Sequence, residues 1–341
     1  MYKIAFLLLP QYQLLGVVGA IETLRVANSL YQEPVFSWAI VHDGDPKIIS
    51  SAGISLEATH HISELNDFDG LIISSSFRHD DYESAAVRNL IRRFDRHGKT
   101  LGSLESGIFH LARAGVMDGH MATAHFNNLP LFAERFPNVH FVKRVFTYSD
   151  RRMTAAGGTS CVDMMLHHIA RMRGNLVAAR VANIIIHPFR RDVATPQDDL
   201  FTSAYNGLPP AVRSACREME AAIERPLPLA EIAARVNLSR RHLDRLFFDS
   251  FDCTTADYYR KIRLSRARKL VKATTLDFST ICARCGFASY SHFLHRYREQ
   301  YLVSPADDRN HVLLDPGDPS RISPTADLHP FQSQLDQRRM V

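Results

Sequence analysis

Residues 229–247 read LAEIAARVNLSRRHLDRLF, and residues 279–297 read STICARCGFASYSHFLHRY. Each has the form of a short amphipathic helix, a tight turn and a second helix. The serines that open the two second helices, Ser239 and Ser289, stand fifty positions apart. In the first stretch Leu229, Ile232, Ala233 and Val236 fall at i, i+3, i+4 and i+7, one apolar helix face. Asn237 and Leu238 make the turn, and Ser239 is of the type that caps a helix N-terminus. Leu243, Leu246 and Phe247 then face inward, which leaves Arg240, Arg241, Asp244 and Arg245 outside within the first two turns. Arginine bridges guanine O6 and N7, and aspartate accepts from cytosine N4. Arg245 reads equally well as a phosphate contact, which positions without specifying.

The second stretch repeats the pattern with different chemistry. Ile281, Cys282 and Cys285 pack inward, Gly286 permits the turn, and Phe293 and Tyr297 anchor the second helix. Tyr290, Ser291, Leu294 and His295 remain on the outer face, a less polar set suited to weaker reading or to thymine methyl groups. Cys282 and Cys285 form a C-x-x-C. No second such pair and no histidine pair at metal spacing accompanies it, so buried packing is the expected role. Between the stretches YYRKIRLSRARKLVKA is an amphipathic helix whose Ile262, Ala267, Leu270 and Val271 face the cores. One rigid helix holding two reading heads about 34 Å apart would present them to successive major-groove faces of one duplex.

Charge follows the same division. Residues 206–310 carry 18 Lys+Arg against 12 Asp+Glu, a net of +6, whereas the rest of the chain nets −1. A basic segment beside a near-neutral one points to a polyanion at the segment alone; a merely solvated basic face is the plain alternative. These hundred residues resemble the AraC/XylS family of transcription regulators, through the 229–247 run, the RLSRARKLV helix, CGFASYSHFLHRY and Ser304-Pro305. Asp252 and Leu302 stand where that family usually has a glycine after each recognition helix, and Thr255 replaces its usual proline. Those departures bear on the helix endings.

At 341 residues, with 45% hydrophobic and 23% charged residues, the chain is expected to hold two domains and linkers. No apolar run reaches the roughly 18 residues of a membrane span. MYKIAFLLLP is too short for one and lacks a signal-peptide cleavage pattern, so it reads as a buried first strand. Five scattered cysteines (161, 216, 253, 282, 285) give no disulfide framework, which suits a reducing cytoplasm.

Before the basic segment, KIAFLLL, FSWAIVH, GLIIS and TLGSL read as strands, and GAIETLRVANSL and AVRNLIRRFDRHG as helices between them. The expected fold is an α/β doubly wound parallel sheet, a flavodoxin-like sandwich, followed by an all-α domain with two helix-turn-helix units. GGTSCVDMMLHHIARMRG adds a helix started by Thr159 or Ser160. The expected divisions are a sensing domain at 1–190, an exposed linker at 191–207, a DNA-binding domain at 208–308 and a disordered tail at 309–341. His60, His61, His167 and His168 form adjacent pairs of little use to one metal, and Trp38 reads as core.

TLGSLESGIFHLARAG (100–115) has the form strand, sharp turn, helix, with Glu105 at the tip, the geometry of a nucleophile elbow. Together with ETLRVAN, AGVMDG, ATAHF and AAGGTSCVDMMLHHIA it resembles the PfpI-like branch of the class I glutamine amidotransferase superfamily. It is more similar still to regulators that fuse this domain to AraC-type heads, among them those sensing arginine, glycine betaine or carnitine. The resemblance places Glu105, His125 and Glu22 where enzymatic relatives carry a cysteine, a histidine and a glutamate. A carboxylate does not replace a thiolate in amide hydrolysis, and Ser74, Ser75 and Ser76 follow GLII where a glycine pair is expected. The reading is therefore a non-catalytic ligand pocket at the carboxyl ends of the strands, lined by Glu22, Ser75, Ser76, Glu105, Ser106, His125 and Phe126. If Glu22 and Glu105 meet, they share a proton or neutralise a small cation, with Phe126 offering a cation–π face. Alternatively Glu105 is simply protonated, or bonded to amides at a helix N-terminus.

The expected partners are double-stranded DNA, a small-molecule effector, RNA polymerase and, from the resemblance, a second copy in a homodimer. No cofactor, metal or membrane is called for. The competing classes are a hydrolase or amidotransferase-like enzyme carrying a DNA-targeting module, and a DNA-binding protein whose first domain only oligomerises.

Overall fold

The computed structural model describes residues 1–314 apart from 78, 189 and 198–207. The chain divides into two compact units, Met1–Leu200 and Phe201–Val341.

The first unit contains strands β1 (Tyr2–Leu8), β2 (Phe36–His42), β3 (Lys47–Ile49), β4 (Ser55–Glu57), β5 (His60–His61), β6 (Gly70–Ser75), β7 (Thr100–Glu105), β8 (Met121–Ala122), β9 (His140–Phe141), β10 (Phe146–Ser149) and β11 (Arg152–Ala155). Seven of these form one sheet in the order β10-β11-β7-β6-β1-β2-β5. Every neighbour pair in it is parallel except β10 with β11. Helices α1 (Leu14–Asn28), α2 (Ala85–Arg96), α3 (Ile108–Arg113), α4 (Leu129–Arg135), α5 (Ser160–Arg173) and α6 (Asn175–Ile184) surround it.

β1 shows why the strands read as unbroken apolar runs. Ile4, Phe6 and Leu8 join one cluster with Val17 and Leu24 of α1, Met165 of α5 and Val181 of α6. Ala5 and Leu7 are equally buried but lie outside that cluster, on the opposite face of the pleat. A strand covered on both faces has no polar side to alternate. α2 closes the second layer with Val87, Leu90, Ile91 and Phe94 at i, i+3, i+4 and i+7, and Ser84 Oγ caps it by accepting from Val87 N at 3.1 Å. α5 begins at Ser160, but the expected side-chain cap is absent: Ser160 Oγ instead donates to the Gly157 carbonyl at 2.7 Å. Trp38 is half-buried against the core rather than inside it.

The stretch after His187, expected to be an exposed connector, is partly drawn back into this unit. Asp163, wholly buried on α5, accepts from Arg191 Nε at 2.7 Å and from Arg191 N at 2.9 Å. His187 Nε2 bonds the same carboxylate at 2.9 Å. A buried carboxylate must be paired, and these polar residues supply the pairing. The buried Gln197 side chain donates to the carbonyls of Ala124 and Arg144 at 2.9 and 2.8 Å. Residues 198–207 of the expected linker lie outside the described residues.

The second unit contains α7 (Pro210–Ala221), α8 (Leu229–Arg235), α9 (Arg240–Phe251), α10 (Thr255–Ala273), α11 (Phe278–Arg284), α12 (Tyr290–Tyr301) and α13 (Pro305–Leu314). It has two cores. One joins Val212, Met219, Ile232, Leu243 and Phe247 to Tyr258 and Ile262; the other joins Leu264, Ala267, Leu270 and Val271 to Ile281, Phe293 and Tyr297. α10 supplies residues to both and is the spine of the unit. The expected tail begins inside α13, which continues to Leu314; residues 315–341 lie outside the described residues. All five cysteines are free and buried. Among the described residues no group of three or more His, Cys, Asp or Glu is placed to hold a metal.

Candidate functional site

The two expected reading heads are built alike. Ser239 Oγ accepts from His242 N at 3.2 Å, and Ser289 Oγ from His292 N at 3.4 Å, so both second helices start on the serines read as caps. The preceding turns each use a left-handed residue two places after the last residue of their first helix, Asn237 with φ +57° and Gly286 with φ +70°, the second turn being one residue longer. A Cβ on Gly286 would stand 2.5 Å from both the Ile223 carbonyl oxygen and Pro226 Cγ, so only glycine fits. Arg263, on the spine, donates to the carbonyls of Cys285, at 2.8 Å, and of Gly286. Its guanidinium lies 4.2 Å from the Phe287 ring centroid. That side chain satisfies the carbonyls left open at the end of α11.

On α9 the buried Leu243 and Phe247 turn Arg240, Arg241 and Arg245 to solvent. Asp244 is placed differently from the expectation: its Oδ1 accepts from Thr255 N at 3.2 Å, at the first residue of α10. Its Oδ2 stands 4.0 Å from Nε of the exposed Arg240, and the half-buried carboxylate ties α9 to the start of the spine. On α12 Tyr290, Ser291 and His295 are exposed, whereas Leu294 is half-buried against its own core. Leu294 therefore leaves the outer set, because a γ-branched side chain one position from Phe293 fills the edge of that core.

The elbow forms as its sequence implies. Glu105 ends β7 with φ +55°, and a Cβ on Gly107 would fall on the Ile73 carbonyl, so the chain turns into α3 only with glycine there. Glu105 is buried and pairs in register with the buried Ser75. Burial pushes its carboxyl up to about 7, against hydrogen bonds from the Ser76 side chain and from the Ser106 amide and hydroxyl. Its Oε2 has no partner. Asn128 Nδ2 donates to Ser106 Oγ at 3.1 Å, tying the 125–128 turn to the elbow. His125 and Phe126 in that turn are half-buried, with ring centroids 4.2 Å apart.

Glu22 is not part of this cluster. It lies on the exposed side of α1 and pairs with Arg25 at 2.5 Å, which holds its carboxyl below the usual range. The residue that α1's start brings to the elbow is Gln13. Its Oε1 accepts from Gly158 N, and it would lie 3.2 Å from a Cβ on Gly157, where Glu105 Cγ would lie at 2.8 Å. Cys161 is the neighbouring thiol; burial, with Glu105 and Asp163 close by, pushes it far above the ordinary thiol range. A thiol so held stays protonated, and the thiolate is the nucleophilic form.

Comparison with known proteins matches both parts. The family model described as a helix-turn-helix domain covers residues 232–311. The chain is 33% identical over 305 residues to the HTH-type transcriptional regulator CdhR of Pseudomonas aeruginosa, covering 89% of this chain and 90% of that one. It is 31% identical over 308 residues to the HTH-type transcriptional regulator GlxA of Rhizobium meliloti, covering 90% and 95%. A solved AraC family transcriptional regulator from Pseudomonas putida overlays 54% of this chain and all of its own at 26% identity, with a TM-score of 0.52. Among the described residues no helix is long and apolar enough to cross a membrane.

Proposed function

Since the chain belongs to the family of HTH-type transcriptional regulators that includes CdhR and GlxA, we propose that it reads DNA through α9 and α12 under the control of a small cation held at the elbow. The observation that carries the reading is the pair of equivalent turns at Asn237 and Gly286. Each presents an exposed helix face on one shared spine, Arg240, Arg241 and Arg245 on the first and Tyr290, Ser291 and His295 on the second. The arginines suit guanine or phosphate. The second set suits a thymine methyl through Tyr290. The polyanion contacts make affinity fall with salt.

At the elbow, Glu105 with Ser75, Ser76, Ser106 and Gln13 forms the floor of the ligand site, and His125 and Phe126 are its candidate wall. An unpartnered oxygen on a buried carboxylate favours a ligand that brings positive charge, such as a quaternary ammonium compound or a basic amino acid. Binding regulates only through different affinity for the two states of the DNA heads. The elbow carries a carboxylate and the adjacent thiol is held neutral, so the domain senses and does not catalyse. A cytoplasmic homodimer that meets RNA polymerase at its promoters completes the reading.

Isothermal titration of the full chain with glycine betaine, carnitine and arginine tests the ligand class. Heat from one of them, abolished in Glu105→Ala, supports the site. Binding only of neutral or anionic compounds overturns the cationic reading, and activity against amide or glyoxal substrates lost in the same variant would favour the enzyme.

A further inference from the structure

α13 carries one carboxylate into the core of the second head. Asp308 is 4% exposed and accepts from Arg268 Nε at 2.6 Å, from Arg268 Nη2 at 3.0 Å and from Tyr297 Oη at 2.7 Å. Lys272 Nζ stands 3.9 Å away. Arg268 and Lys272 belong to the spine α10, and Tyr297 to the recognition helix α12. Burial alone would raise the Asp308 carboxyl; the bonds from Arg268 and Tyr297 outweigh it and hold the group ionised. The next residue, Arg309, donates to the carbonyls of Val271 and Leu276 at 3.1 and 2.6 Å, fixing α13 to the end of the spine.

Among the described residues, the polar link between recognition helix and spine in the first head is a single bond, Asp244 Oδ1 accepting from Thr255 N at 3.2 Å, and no guanidinium–carboxylate fork is seen in its core. Phe247 occupies the place in α9 that Tyr297 occupies in α12, eight residues after the capping serine. It carries no hydroxyl and packs among apolar groups, with the Tyr258 ring at 5.1 Å and the Phe251 ring at 5.5 Å between centroids. Apolar contact is non-directional and lets a helix tilt or slide. A bidentate guanidinium–carboxylate fork does not, because its planar geometry is lost on small rotations. Buried ion pairs commonly add little net stability over apolar packing, and in some proteins what they contribute is the choice of one arrangement.

We propose that Asp308 is the positioning residue of the second reading head: by bracing Tyr297 against Arg268 it fixes the angle of α12 on the spine and so the phase between the two heads. The inference rests on the reading that α9 and α12 enter DNA. A braced second head accepts half-sites at one spacing. One inserted base pair turns the second half-site by about 34–36° about the duplex axis, since a turn takes about 10–10.5 base pairs.

The test uses the full chain and duplexes that the wild type selects from a random-sequence library, footprinted with zero, one or two base pairs inserted between the protected half-sites. The wild type is expected to lose on the order of tenfold or more in affinity per insertion, as for a mismatched contact. The triple variant Arg268→Met, Asp308→Leu, Tyr297→Phe replaces the brace with apolar groups and is expected to fold. It should keep first half-site protection and lose less than about threefold per insertion. A folded triple variant with the wild-type spacing penalty overturns the proposal, as does equal weakening of both half-sites. Should the triple variant not fold, Tyr297→Phe alone, which removes a single hydroxyl, must still widen the tolerated spacing, and an unchanged series overturns the proposal. A wild type that selects no duplex overturns the DNA reading as well, an outcome distinct from these.

Discussion

Asp252 and Leu302 adopt the same left-handed backbone, φ +53° and +60°, each as the residue that ends a recognition helix. Both are positions where the AraC/XylS resemblance leads one to expect glycine, and the structure keeps the glycine conformation without the glycine. Leu302 is 90% exposed, so its side chain contributes no packing to offset the strain. Left-handed backbone costs an L residue roughly 1–2 kcal/mol, less for Asp. Leu302→Gly should therefore stabilise the second unit by about 1 kcal/mol after the entropy of glycine is subtracted. Asp252→Gly should gain less. Denaturant melts of the two variants check this; a loss of stability in Leu302→Gly would show that the helix end is not strained.

The opposite outcome is expected at the turn of the second head. Gly286→Ala places a methyl 2.5 Å from the Ile223 carbonyl oxygen at φ +70°. The conformation alone costs about 1–3 kcal/mol, and the clash adds to it. The variant should lower the melting temperature and remove protection of one half-site before the other.

Glu105 makes stability depend on pH in a direction opposite to that of an ordinary paired carboxylate. Its folded value, about 7, lies above the unfolded 4.5. Between those values the unfolded chain ionises first and the folded chain still holds its proton. Folding stability thus falls as pH rises from 4.5 to 7, by about 3 kcal/mol in all, and stays level above that window. Glu105→Gln lacks the group and should gain on the wild type by that amount between pH 4.5 and pH 8. Parallel stability curves for the two proteins across this range would refute the assignment of a carboxyl raised by burial.

How much of this was legible in the chain differs by element. The heads were, because helix period, turn residues and capping serines are local. Cys285 and Gly286 announce a turn with no help from the rest of the fold. The elbow was legible for the same reason. Glu22 was misplaced because the face of α1 that meets the sheet is fixed by tertiary packing. Gly16, Val17, Ala20, Leu24 and Ala27 take that face, and Glu22 falls off it. Gln13 precedes the helix and has no periodic signal. Asp244 also accepts from Thr255 N at the start of α10, a contact that helix period alone does not encode. Arg191, in a stretch whose composition reads as exposed linker, closes on Asp163 from 28 residues away, a pairing that no local pattern encodes.

Arg241 separates reading from mere attachment. It is exposed on α9 and ahead of Arg245 by one turn. If its fork meets a guanine, Arg241→Ala should cost roughly 1–3 kcal/mol on the selected duplex and relax preference at one base pair. Titrations against single-base variants of that duplex, at two salt concentrations, distinguish this from a phosphate contact, which would weaken all sequences alike and flatten the salt slope.

The most direct measurement is a footprint of the full-length chain on the DNA it selects, read at single-nucleotide resolution. Two patches on one face of the duplex, about 34 Å apart from centre to centre, surviving scrambled competitor, are the expected result. A single protected patch, or binding that scrambled DNA displaces as readily as its own sequence, would contradict two heads reading adjacent grooves.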